Sequence, residues 1–166
     1  IVFKGVNMLI GIISDTHDDT IAIRKAVDYF IAEKVSHVIH AGDITSPFTF
    51  EIFRDLKCRF TGIFGNNDGD KLLLTEKSGG NVHNQPHFIT IGGKKVVIMH
   101  EPDLVNALSH SGDFHIIVYG HTHRPDIRKI KDTLIINPGK AARLYKGGST
   151  LALLNTLNME AKIVKI

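Results

Sequence analysis

Five short apolar runs in this chain each end on side chains that can bind a metal, and that pairing constrains the fold more than any other feature. Residues 9–13 run into Asp15 and His17 (S-D-T-H), 37–40 into Asp43 (A-G-D), and 60–64 into Asn66 (G-N-N-D). Residues 94–99 run into His100 (M-H-E), and 114–119 into His121 and His123 (G-H-T-H). An unbroken apolar run of this length suits a strand covered on both faces, as in a parallel sheet. In open α/β sheets, ligands gather beyond the carboxyl ends of such strands. The seven donors therefore converge, and a set of this kind can hold two cations side by side and present a water to a phosphate ester.

The segments between the runs supply the helices. Asp19 or Thr20 can cap a helix reaching about Lys34, with Ile23, Val27, Phe30 and Ile31 at helical spacing. A second helix is predicted over 47–56, starting after Ser46, and a third, short one over 102–109. Three strand-helix units in the first 80 residues argue for an α/β fold. The second half changes character: 87–91 and 94–99 flank Gly92-Gly93 and read as a hairpin, and 126–130, 134–136, 150–155 and 161–166 read as strands. The expected architecture is a single α/β domain over 8–166, with two packed mixed sheets flanked by helices in four layers. Residues 1–7, ahead of Met8, are set aside as an extension or an expression scar.

Composition narrows the setting. At 166 residues, with 43% hydrophobic and 22% charged, the chain suits one substantial core. Without an 18-residue apolar stretch or a signal-like start, a cytoplasmic protein that does not enter a membrane is expected. The single Cys58 cannot form an internal disulfide. A net charge of +3 is too mild to imply nucleic acid, although 124–146 is rich in Arg and Lys. That segment reads first as a solvated face, and second as a basic rim beside a phosphate site.

Each candidate has a plainer reading. Asp15 alone would be a helix cap, Asp43 and Asn66 turn residues, and His100 a satisfied core histidine; the ordered set is what favours ligation. His40 is assigned to hydrogen bonding behind the site or in the core, and His37, His83, His87, His110 and His115 to surface or packing. Asn137-Pro138-Gly139 reads equally as a loop bordering the site or a plain turn. Oxygen and imidazole donors without thiolate suit Mn²⁺, Ni²⁺, Fe or Zn²⁺ better than Ca²⁺ or Mg²⁺. Two Asp against two divalent cations leave a formal +2, which attracts anions.

The series D-x-H, G-D, G-N-x-D, an isolated His after a strand, and G-H-x-H resembles the signature of the calcineurin-like metallophosphoesterases, over residues 8 to about 145. The chain's size is most similar to the small YfcE-like phosphodiesterases. The resemblance implies two divalent transition metals, Mn²⁺ or Ni²⁺ foremost, with Fe or Zn²⁺ as alternatives. It places Asp15, His17 and His123 on one metal, Asn66, His100 and His121 on the other, and Asp43 between them. A metal-activated water would attack a phosphodiester of aryl or nucleotide type. Asn67 and Asp68 occupy the family's catalytic place and Arg124 borders the substrate. Many relatives have His where this chain has Asn67. An amide donates a hydrogen bond but supplies no proton at neutral pH, so diesters and activated aryl esters are favoured over alkyl monoesters. Asp68, with no histidine to orient, is expected to cap the next helix or bind Asn67.

Competing functions remain open at this level. One is a protein-interaction scaffold resembling the small retromer subunit, which has lost parts of the metal site; others are a broad phosphomonoesterase and a nuclease using 124–146. A small phosphate ester is the expected partner and nucleic acid the less favoured one. The hairpin around Gly92 and the helix from Pro47 offer surfaces for a homodimer.

Overall fold

The strands with unbroken apolar sequence are central, and those with alternating sequence lie at edges. The computed structural model describes residues 7–144 and 146–166, so residues 1–6 of the expected extension lie outside the described residues. Along the chain run β1 (Leu9–Ile13), α1 (Thr20–Ala32), β2 (His37–His40), a 3-10 helix (Pro47–Asp55), β3 (Arg59–Ile63), α2 (Lys71–Lys77) and β4 (Val82–His83). Then come β5 (His87–Ile91), β6 (Lys94–Ile98), a 3-10 turn (Pro102–Leu104) leading into α3 (Val105–Ser111), β7 (Ile116–Val118), β8 (Asp126–Ile130), β9 (Thr133–Asn137), β10 (Thr150–Asn155) and β11 (Glu160–Lys165). The first sheet has the order β11-β10-β1-β2-β3-β4 and the second β5-β6-β7-β9-β8. Both are mixed: β1, β2, β3 and β4 run parallel, as do β6, β7 and β9, while β5, β8, β10 and β11 pair antiparallel.

Three apolar layers separate four layers of structure. Ile10, Ile12, Ile39 and Ile63 point from the first sheet onto Val96, Ile98, Ile116 and Val118 of the second. On the outer face of the first sheet, Ile13 and Val38 pack under Ile23, Val27 and Phe30 of α1. On the outer face of the second, Val97, Ile117 and Ile135 pack against Val105 of α3. Each such side chain, fully buried, contributes about 1.5–3 kcal/mol of transfer free energy. The result is a single α/β/β/α domain, as expected. No helix among the described residues is long and apolar enough to cross a membrane.

The helix expected after Ser46 is present and takes the 3-10 form. Pro47, Phe50, Phe53 and Leu56 are all buried, and a three-residue apolar period matches the 3.0-residue turn of a 3-10 helix. The segment from Pro102 is likewise 3-10 for three residues before turning α-helical. Asp19 is the cap of α1, accepting the Ala22 amide at 3.0 Å.

Candidate metal centre

The parallel strands β1, β2, β3, β6 and β7 all end on one side of the sandwich, and the seven candidate donors meet there. Asp15 Oδ1 lies 3.2 Å from His123 Nε2 and 3.8 Å from His17 Nε2. The two histidines are 3.4 Å apart through Nε2. On the other side, Asn66 Oδ1 is 3.0 Å from both His100 Nε2 and His121 Nδ1. Asp43 Oδ2 stands between the two groups, 3.6 Å from His17 Nε2 and 3.3 Å from His100 Nε2. Donors held at metal-ligand distances of about 2.0–2.2 Å from a common centre stand roughly 3.0–3.6 Å apart. The spacing therefore fits donors gathered around cations. Asp15, His17 and His123, and separately Asp15, Asp43 and His100, bring one donor each within 4.8 Å of the others. That puts Asp15, as well as Asp43, within reach of both groups.

The floor is buried and the rim is open. Asp15, Asp43 and His100 are at most 1% exposed, whereas Asn66, Asn67, His121 and Arg124 are exposed. Asp15 Oδ2 accepts the His121 amide at 3.1 Å, but its Oδ1 is buried and makes no hydrogen bond among the described residues, with His123 Nε2 facing it at 3.2 Å. A buried carboxylate oxygen without a donor costs several kcal/mol unless a cation faces it. Burial accordingly pushes the Asp15 carboxyl up. Burial opposes ionisation of Asp43 too, yet hydrogen bonds from His100 and Asn67 outweigh it and hold Asp43 well below the usual carboxylate range. Burial likewise opposes charge on His100, but Asp43, the Ala41 carbonyl and Asp15 together keep its pKa up at about 9. His100 Nδ1–H donates to the Ala41 carbonyl at 2.7 Å, which turns Nε2 toward the site, the orientation common for metal-binding histidine.

The backbone is bent to serve this arrangement. Asp15, His17, Asp43, His121 and His123 all have left-handed backbones, with φ of 53°, 39°, 59°, 65° and 59°. Each such non-glycine residue costs about 1–3 kcal/mol, and clusters of them mark functional sites. Two glycines allow the loops to touch. A Cβ on Gly65 would strike Asp43 Oδ1, and one on Gly120 would strike Ser14 Oγ.

Behind the donors lies a layer of fixed polar contacts. His40 is fully buried and its pKa is lowered to about 3 by burial, so the ring is neutral. Its Nδ1 accepts the Gly42 amide at 3.2 Å, which leaves Nε2–H to donate to Thr16 Oγ1 at 3.1 Å. His40 thus ties the Asp43 loop to the Asp15 loop, as expected of it. Asn137, fully buried, donates to the Gly120 carbonyl at 2.8 Å and Thr122 Oγ1 at 3.0 Å, so the Asn-Pro-Gly segment anchors the His121–His123 loop rather than forming a plain turn.

Asp68 departs from expectation. Asp70, not Asp68, caps α2, accepting the Leu73 amide at 3.0 Å. The Asp68 carboxylate instead accepts three backbone amides: Gly65 at 2.6 Å, Thr45 at 2.7 Å and Asp43 at 3.0 Å. It therefore holds the Asp43 and Asn66 loops in register. Asn67 donates to both Asp43 oxygens, from its amide N at 2.8 Å and its side-chain Nδ2 at 2.7 Å. The basic segment is also not a continuous rim. Arg128 pairs with Asp126, Arg143 with Asp19 at 2.9 Å, and Lys140 is 3% exposed with Nζ on the Ala142 and Gly148 carbonyls. Arg124 stays exposed beside His123.

Two packed mixed sheets thus carry, at their strand ends, an oxygen-and-imidazole cluster of the kind that can hold divalent cations. Residues 8–159 match the calcineurin-like phosphoesterase superfamily domain, and the chain belongs to that superfamily. It is similar to Phosphodiesterase MJ0936 of Methanocaldococcus jannaschii, 35% identical over 159 residues, covering 92% of this chain and 96% of that protein. Among solved structures it is similar to an archaeal phosphodiesterase at a TM-score of 0.90 and 33% identity, covering 96% of this chain and 100% of the other. It shares its fold with the phosphoesterase YfcE of E. coli, at a TM-score of 0.71 and 14% identity over 96% of this chain and 100% of that one.

Proposed function

We propose that this protein is a dinuclear metal-dependent phosphodiesterase acting on small aryl or nucleotide-type diesters. The observation that carries the reading is the buried Asp15 Oδ1, which makes no hydrogen bond among the described residues and has His17, His123, Asp43 and His100 each offering a donor atom close by. Asp15, His17 and His123 would hold one divalent ion and Asn66, His100 and His121 the other, with Asp43 between them. The donor set fits Mn²⁺ or Ni²⁺ best, with Fe or Zn²⁺ as alternatives. When bound, the pair supplies a water nucleophile whose pKa falls toward about 7 and offsets charge on the phosphoryl oxygens.

The remaining work belongs to the protein. Asp43, which accepts hydrogen bonds on both oxygens from Asn67, balances charge at the centre of the site. His40, Asp68 and Asn137 fix the loops so that no donor has to move as charge builds, which is where preorganised sites gain most. Arg124, exposed one residue past His123, would meet a diester's remaining anionic oxygen. Retention of all seven donors weighs against a purely scaffolding role. Metal-reconstituted protein should hydrolyse a bis-aryl phosphate, and Asp43→Ala should abolish turnover. No hydrolysis with any of the four metals, or an active Asp43→Ala variant, defeats the reading.

A further inference from the structure

We propose a second binding site at the opposite end of the first sheet, one that takes an extended acidic polypeptide segment of a partner protein by strand addition. A cavity of about 870 Å³ opens there between the edges of the two sheets. Its walls include Phe60 and Thr61 of β3, Ile89 and Ile91 of β5, and Phe50 and Phe53 of the 3-10 helix.

Two strand edges with no further strand paired to them among the described residues border this space. β4 is only two residues long and pairs with Gly62 and Ile63 alone. The Gly62 and Phe64 amides donate toward β4, to the Asn81 and His83 carbonyls at 2.8 and 2.9 Å. By the two-residue period of a strand, the amide and carbonyl of Phe60 face the same way, beyond the end of β4 and into the cavity. β5 is the first strand of its sheet, and its outer edge borders the same cavity at Ile89, Thr90 and Ile91. Natural edges are usually blunted by Lys, Pro, inward charges or a covering element. The sequence of β5, HFITI, has no Lys, Pro or acidic residue. The far side of the sandwich is different, because there β11 packs against β8. An open strand edge with apolar pockets on either side is the requirement for recognising a peptide in extended form.

Charge selects the occupant. Arg54, Arg59 and Lys77 stand around the opening against Glu76. Arg54 and Lys77 share Glu51, at 2.6 and 3.3 Å, and Arg59 is in no ion pair among the described residues. Pairing two copies through this face would bring like charges together, which disfavours a homodimer here. A strand alternating acidic and apolar side chains places its carboxylates on the cationic rim and its apolar face in the cavity. The opening sits at the amino ends of β2 and β3, roughly 16 Å from the metal-binding ends for a five-residue strand, so its occupant need not touch the donors.

The test uses a fluorescent peptide of alternating Glu and Val, with alternating Lys and Val as the control, and the full chain. Anisotropy should show saturable binding of the acidic peptide alone, and the bound peptide should slow hydrogen exchange at the Phe60 amide. The double variant Arg59→Glu, Lys77→Glu should weaken binding by about ten-fold or more while leaving diester turnover and circular dichroism unchanged. Equal binding of both peptides, binding without protection at Phe60, or no binding overturns the proposal. So does self-association of the free protein that this double variant abolishes, which would assign the face to a second copy.

Discussion

Asp68 and Asp43 are joined across 25 residues of sequence, the Asp68 carboxylate accepting the Asp43 backbone amide at 3.0 Å while also gripping Gly65 and Thr45. The contact places the two loops that carry the candidate donors Asp43 and Asn66 in a fixed relation without using a donor atom from either. Asp68→Ala leaves three amides unpaired, each costing about 1–3 kcal/mol if it stays buried. Part of that is recovered by water entering the loop, so a net loss near 3 kcal/mol is expected. Metal affinity should fall about 10–100-fold, as for other residues that orient ligands. Calorimetric titration with Mn²⁺ and urea denaturation measure the two effects. Normal affinity in a destabilised variant would mean the contact serves the fold alone.

Asn67 is turned toward Asp43 and holds both of its oxygens. An amide there stabilises a ligand but protonates nothing. Asn67→His should therefore raise turnover of an alkyl monoester relative to an aryl diester, by about ten-fold or more if the imidazole acts as a general acid. A ratio equal to that of the unaltered protein, from steady-state rates at neutral pH, would sink the leaving-group argument.

The sequence made the strands and their terminal donors legible because burial on two faces demands unbroken apolar runs, and because ligands sit where those runs stop. Asp15, Asp43, Asn66, His100, His121 and His123 could be placed for that reason. The role of Asp68 was hidden because its partners are backbone amides, one of them 25 residues away, and amides carry no sequence label. The helix after Ser46 was legible but its 3-10 form was not, because a pattern containing Phe50 and Phe53 satisfies both a 3.0 and a 3.6 period over so short a span. The basic stretch 124–146 looked continuous along the chain, yet folding sends Arg128 to Asp126, Arg143 to Asp19 and Lys140 into the interior.

His37 gives the protein a pH dependence separable from the metals. Burial, with a smaller push from Arg59, lowers its pKa from 6.5 to about 4, and it hydrogen-bonds Thr61 at 2.9 Å. Between those values the unfolded chain binds a proton that the folded chain refuses, so stability falls as pH drops from 6.5 toward 4. The slope from this group is at most about 1.4 kcal/mol per pH unit. Asp19, held low by Arg143 despite desolvation, matters only below its unfolded value of 3.8, outside that window. Urea denaturation of chelator-treated protein should show His37→Gln losing less stability than the parent between pH 6.5 and 4. Parallel curves would show that the ring is not held neutral.

Gly120 tests whether the approach of strand ends, rather than donor chemistry alone, makes the site. A Cβ at this position meets Ser14 Oγ and lies 2.9 Å from both the Ala41 carbonyl and Asp15 Oδ2. None of these can retreat cheaply. Ser14 Oγ donates to the Ala41 carbonyl at 3.2 Å, and Asp15 Oδ2 receives the His121 amide at 3.1 Å, so moving either opens the junction between β1, β2 and β7. Gly120→Ala should cost about 1–3 kcal/mol through overpacking, lowering Tm by about 3–10 °C. Because the displaced oxygen belongs to Asp15, metal affinity should fall further than that stability loss accounts for. Gly69 provides the control: it lies close to Asn66 and Asp68 in sequence, but a Cβ there meets nothing within 4 Å, so Gly69→Ala should bind metal normally. Equal metal binding by the two variants in a competition titration would show that the close approach of Gly120 to Asp15 is incidental to the site.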